Sequence, residues 1–374
     1  MLERHRLSAL AAIALGAIAP ACATGSDTVP GTGGNAAQSS SSSGAGGMTT
    51  ATGTGGAGGS GTGGAAPANG CKPSGDTVLA INRLYFGDTN WDDTPNTSNG
   101  WKLYGLDIDG KASTGSSTDV CLPAYGGAAS IAYPDGPNGL DNAFGKNVLP
   151  VFLQSIPALA SQANQALSNG DFTILIRLGA LGSAPDQGSI STKVYGGAFL
   201  STIIPAFDGN DCWPVAPESL VTSTDIESAK LTYPASSLTL NRWDSVGTGD
   251  LDLTLQVLGF QGHAIIHHAR IVMDLDADHQ GTQKGIISGV LDTEEFVAAI
   301  NKLMASFDPA NCSPNANMQA VDTLIRQASD IMKDGTQDPA SACTGISIGL
   351  GFKAKRVQFG AIGSPLAPKP DPCP

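Results

Sequence analysis

The stretch Pro134–Asn147, PDGPNGLDNAFGKN, brings Asp135, Asn138, Asp141 and Asn142 within a few residues of one another, interleaved with glycines. Carboxylate and amide oxygens are the ligands of hard cations, and calcium gathers roughly six to eight of them. The same residue types also build Asx turns and helix caps. The stretch is therefore expected to be first a structural turn and second part of a calcium site, shared with Asp107 and Asp109 of GLDIDG. Alternate aspartates on an extended strand share a face about 7 Å apart. Such charges repel unless solvent or a cation separates them. A third acidic run, MDLDADHQG, offers Asp274, Asp276 and Asp278, for which a solvated strand end is the stronger expectation. Asp330 is expected to lie remote from these loops.

The DG and DN steps have a spacing similar to thrombospondin-type calcium loops. They depart from the EF-hand, because no glutamate closes the loop at the required distance. Other motifs promise less. In GHAIIHHAR a strand would put His263 and His267 on one face about 13 Å apart and His268 on the other, so one ion could not take all three. Gly345, Ser347 and Gly349 spell GxSxG, but the serine sits in an alternating strand and no histidine follows His279. A nucleophile elbow needs a helix after the serine and a histidine later in the chain. Gly53, Gly55 and Gly58 match GxGxxG without a strand before or a helix after, so no dinucleotide site is expected. Glu294 and Glu295 are adjacent, and a helix cap explains Glu295. Glycoside hydrolysis needs two opposed carboxylates, which aspartates could supply.

Period-two alternation fills LDLTLQVLGF, DFTILIRLGAL and GISIGLGFKAK, and further strands are expected in TVLAINRLYF, GWKLYGLDID, KVYGGAFLSTII, AKLTYPASSLTLNRW and GHAIIHHARIVMDL. Many short strands between Gly, Pro and Asp turns predict a mainly β domain, an antiparallel β-sandwich or jelly roll with a few helices. Helices are expected near 155–169, starting at Ser155 and Pro157, near 292–307 behind an Asp292–Glu295 capping box, and near 315–333, ending at Gly335.

The N-terminus runs from a basic Arg4–Arg6 region through an apolar stretch, Leu7 to Ala19, to Cys22. That is the layout of a signal peptide over residues 1–21. Residues 22–70 are dominated by Gly, Ser, Thr and Ala, a composition expected to remain a disordered linker with a reach of roughly 40 Å. Residues 71–374 are long enough for one large domain. The net charge of −13 argues against a nucleic-acid partner. Cys71, Cys121, Cys212, Cys312, Cys343 and Cys373 are widely spaced in an exported chain, which predicts disulfides rather than a zinc site. Of the many possible pairings, Cys71–Cys373, Cys312–Cys343 and Cys121–Cys212 are expected.

The segment ending at Cys22 resembles a bacterial lipoprotein signal, which implies cleavage and lipidation of Cys22. With GLDIDG, DGPNGLDNAFGKN, GVLDTEEF and DGTQDP, the chain resembles surface lipoproteins of unknown function predicted from myxobacterial genomes. The resemblance implies an outer-membrane lipoprotein of the cell envelope, held to the membrane by its lipid, and it implies no activity. The expected role is a binding or structural module in contact with glycan or a surface protein, with calcium as the one candidate cofactor. The alternative is an exported polysaccharide hydrolase using aspartates.

Overall fold

The computed structural model describes residues 71, 75–123, 134–200, 204–257, 260–313, 315–365 and 371–373. The signal segment, Cys22 and the linker lie outside them. The chain from Pro67 onward forms one compact unit.

The domain is mainly β, and its strands belong to one large sheet. β1 (Thr77–Tyr85), β2 (Thr173–Leu178) and β3 (Gln187–Gly197) are followed by β4 (Cys212–Val215), β5 (Leu231–Thr239) and β6 (Arg242–Asp244). β7 (Gly249–Val257), β8 (Phe260–Leu275), β9 (Gly281–Asp292) and β10 (Gly345–Ile362) complete it. The antiparallel pairings run β1–β2–β3–β5–β6–β8–β9–β10 and return from β10 to β1. The strand pairings thus form a closed ring within one large sheet. Closure removes the unpaired edges that a flat sheet would expose. β4 lies parallel on the far half of β10, and β7 pairs with β8 as a hairpin.

Alternation places two apolar sets on opposite faces of the same strands. Leu79 and Ile81 of β1, with Ile174 and Ile176 of β2, join the main core, together with Ile346, Ile348 and Phe352 of β10. Val78, Ala80 and Leu175 point the other way, into a second core with Trp213, Tyr195 and Phe359. The β5–β6 turn is made by Leu240 and Asn241, both at positive φ (50° and 62°), which is the twist a two-residue hairpin requires.

The helices depart from expectation at their connections. The one expected over 155–169 is two, α1 (Leu149–Ser155) and α2 (Leu159–Asn169), parted at Ile156–Pro157, since the residue before a proline avoids helical geometry. Gly170, at φ 79°, ends α2 as a left-handed cap. α3 (Thr293–Phe307) begins where expected: the Asp292 side chain accepts from the Glu294 and Glu295 amides. Glu295 does not fold back to close a capping box; its carboxylate lies 3.0 Å from His267 Nε2. α4 (Ala316–Gln327) is capped by Asn315 and stops short of residue 333, because Ile331 pairs with Gly345 at the start of β10. GWKLYGLDID is not a strand either; a short 3₁₀ turn over Gly100–Leu103 opens a packed loop.

Three disulfides are present, and their pairing corrects all three expected connections: Cys71–Cys212, Cys121–Cys343 and Cys312–Cys373. Cys71 meets Cys212 at the start of β4, so the clasp falls on the second core rather than on the C-terminus. Cys121 reaches Cys343 because Leu122 bridges Ala342 in parallel.

Candidate metal centre

Two loops cross β10 and meet. Gly349 has no room for a side chain, because a Cβ there would overlap the Tyr104 carbonyl. That close approach lays the segment around Gly105 directly on the strand. Leu106 then pairs with Asp141 as a single antiparallel bridge, with the Asp141 amide donating to the Leu106 carbonyl at 3.0 Å.

Asn142 fastens the crossing. Its Nδ2 donates to the carbonyls of Trp101 (3.2 Å), Tyr104 (2.8 Å) and Gly349 (3.2 Å). Its Oδ1 accepts from the amides of Gly145 (2.9 Å) and Gly349 (3.1 Å). The amide is filled by these backbone partners, so Asn142 acts as a structural pin of the crossing. Asn138 is exposed in a turn at φ 59°.

The bridge brings Asp107 and Asp109 to Asp141, and one oxygen from each of the three lies within 4.8 Å of the others. Two ligands on opposite sides of one calcium ion are separated by about twice a 2.4 Å bond, so this span fits a shared ion. Backbone amides orient each carboxylate. Ile108 donates to Asp141 Oδ2 (2.7 Å), Gly110 to Asp107 Oδ1 (2.7 Å) and Lys111 to Asp109 Oδ1 (2.8 Å). Exposure grades from Asp107, which faces solvent, through Asp109 to Asp141, which is 2% exposed.

Two further carboxylates press on the trio. Burial, and next the charge of Asp330, push the Asp141 carboxyl up to about 9. Asp330 itself is pushed up to about 7 by burial, against the Ser347 hydroxyl and amide that donate to it at 2.6 and 2.8 Å. Asp135 is also raised, by burial first, with Asp109 and Asp107 adding repulsion and the Ser113 amide opposing them at 2.5 Å. The expectation that Asp330 lies remote from the loops is corrected: it belongs to their electrostatic surroundings. Lys146 feels Asp330 and Asp135, but burial lowers its pKa, and its ammonium donates to the Pro134 carbonyl and sits 4.9 Å over Trp101.

Gln337, of DGTQDP, ties the arrangement together. Its Nε2 donates to Asp109 Oδ2 (2.7 Å) and to the Asp330 carbonyl (3.0 Å), and its Oε1 accepts from the Cys121 amide (2.8 Å). Sequence reasoning missed Gln337 and Asp330 because neither belongs to an acidic run; Gln337 lies in the signature DGTQDP, and Asp330 lies in none.

The third acidic run stays apart. Asp274 pairs with Arg242 at 2.8 Å, and Asp276 Oδ1 accepts from the amides of Gln280 (2.7 Å) and Gly281 (3.0 Å) in the β8–β9 turn. Asp278 Oδ1 accepts weakly from the Gln280 amide at 3.4 Å, leaving the run a hairpin turn rather than a site. The histidines are engaged one by one. His263 meets Asp252 (2.6 Å), and His267 lies between Glu295 and Asp250 (3.3 Å). His279 is held by the Gly182 carbonyl and Asn241. Ser347 is buried in β10, with its hydroxyl given to Asp330.

No protein-family model matches this chain, and no curated protein or solved structure matches it. The geometry alone therefore carries the functional argument. Two clefts lie beside the α1–α2 pair, of about 350 and 330 Å³, and Asp88 lines both. It is the one carboxylate among the described residues of either lining, and burial raises its pKa.

Proposed function

We propose that the protein is an exported envelope module, anchored through lipid on Cys22, whose β domain holds a calcium ion between Asp107, Asp109 and Asp141 and serves contact rather than catalysis. The observation that carries the calcium reading is the meeting of three carboxylates from two separate loops, with Asp135 and Asp330 behind them. Like charges drawn together in a partly desolvated pocket repel strongly, and a divalent cation converts that repulsion into attraction. The ion would tie the Gly105–Gly110 loop to Asp141, beside the crossing that Asn142 pins. Asp107, being exposed, would leave part of the coordination shell to water.

Export and anchoring rest on the basic, apolar and cysteine-ending N-terminus, and three disulfides fit an oxidising compartment. Contact with a glycan or a surface protein is favoured over polysaccharide hydrolysis by the clefts. They carry one carboxylate, whereas glycoside hydrolysis uses a facing pair.

Calorimetry on the chelator-treated domain tests the metal: calcium should bind with one-to-one stoichiometry, and Asp109→Asn should lose the heat while Asp276→Asn keeps it. Equal heats in both variants would remove the site. Cys22→Ser should move the protein out of the membrane fraction in the native host; unchanged retention would remove the anchor.

A further inference from the structure

β1 pairs with β2 only over Thr77–Ala80. Beyond that point side chains take over the strand's polar groups. Thr173 Oγ1 donates to the Ile81 carbonyl at 2.7 Å. Asn164 of α2 donates to the Leu84 carbonyl (2.9 Å) and accepts from the Leu84 amide (2.7 Å). A side-chain amide stands where a neighbouring strand would be, and a helix does not fill that edge as a strand does. The larger cleft opens here, between α2 and the chain leaving β1. The second cleft shares Asp88 with it and reaches Thr97 and Gln154.

The walls decide the class of ligand. Asp88, Thr89 and Gln165 line the first cleft and Thr97 and Gln154 the second, so hydroxyls and amides recur along both. The charge of Arg83 faces Asp88, which leaves the groove with little net charge. A sugar hydroxyl both donates and accepts, and such a wall of mixed donors and acceptors suits a run of them. Peptide partners usually anchor through aromatic or large apolar side chains in desolvated pockets; the wall of the first cleft is mainly polar, and the second adds Leu149, Pro150 and Leu153 but no aromatic ring among its described lining residues. An anionic polymer would meet a protein of net charge −13. Each cleft is of the size usual for small-ligand sites, roughly 300–1,000 Å³.

We propose that the paired clefts bind a neutral oligosaccharide, with Asp88 at their meeting point accepting from adjacent sugar hydroxyls and with Thr89 and Gln165 flanking it. The inference rests on the contact reading above and names its ligand class; it does not depend on the metal.

The test is calorimetric titration of the mature, full-length chain with maltohexaose, laminarihexaose, cellohexaose and chitohexaose. At least one should bind with millimolar or tighter affinity. Asp88→Ala should weaken that binding roughly tenfold or more, the scale of one lost hydrogen bond to a charged group. Gln165→Ala should also weaken it, and it lies on an exposed helical face where alanine is well tolerated, so folding is preserved. Gln319→Ala, on the exposed face of α4, should change nothing. No binding by any of the four sugars, or binding indifferent to both cleft variants, overturns the proposal. Sugar binding without calcium heat would instead remove only the metal reading, and calcium heat without sugar binding only this one.

Discussion

Asn138 and Asn142 look alike in sequence and do different work. Asn142 is 2% exposed and its side chain makes five hydrogen bonds to backbone groups. Asn142→Ala strands buried donors and acceptors, each costing about 1–3 kcal/mol, so a loss of about 3–5 kcal/mol is expected by urea unfolding. Asn138→Gly, exposed and already at positive φ, should stay within about 0.5 kcal/mol. His267 gives the pH dependence. Burial acts to lower its pKa, but the hydrogen bond to Glu295 and the charge of Asp250 prevail and raise it. A folded-state pKa above the unfolded one means that protonation favours the fold. That contribution is complete below about pH 6.5 and fades as pH rises through the folded value. The wild type should therefore lose stability across this window more steeply than His267→Gln; parallel profiles for the two proteins would refute the ion pairing of His267 with Glu295 and Asp250.

At the scale of elements, what depends on local chemistry was legible. Asp292 before α3, Asn315 before α4 and Gly170 after α2 act as their types demand. Asp292→Ala should cost about 1 kcal/mol in chemical unfolding, and a neutral result would mean that the cap is idle. Strands with strict alternation, such as β2, β7 and β10, were equally readable, because one period-two pattern fits them. The misreadings share one cause, which is tertiary contact. GWKLYGLDID has an apolar pattern fit for a strand, yet its carbonyls are taken by Asn142 from another loop. The residues expected to continue α4 are drawn into a bridge with Gly345. Much of the acidic site could be read from spacing, namely Asp107, Asp109, Asp135 and Asp141. Asp330 and Gln337 could not, since they arrive from distant sequence through the fold.

At the scale of the molecule, ring closure and disulfide pairing are long-range properties that no local pattern carries. Cys121 and Cys343 are 222 residues apart yet adjacent because their loops pair. Peptide mapping without reductant should recover Cys71–Cys212, Cys121–Cys343 and Cys312–Cys373, and any Cys71–Cys373 peptide would contradict this topology. The same closure lets two loops converge on β10 and gather the acidic groups between which calcium is proposed to bind. An ion that binds only the folded state stabilises it by mass action, by about 2.7 kcal/mol at a hundredfold excess over its dissociation constant. The decisive measurement is the melting temperature of the mature domain in chelator and in millimolar calcium, for the wild type and for Asp141→Asn. A rise of several degrees in the wild type that vanishes in Asp141→Asn is the predicted result. Superimposable wild-type curves in chelator and calcium would contradict it.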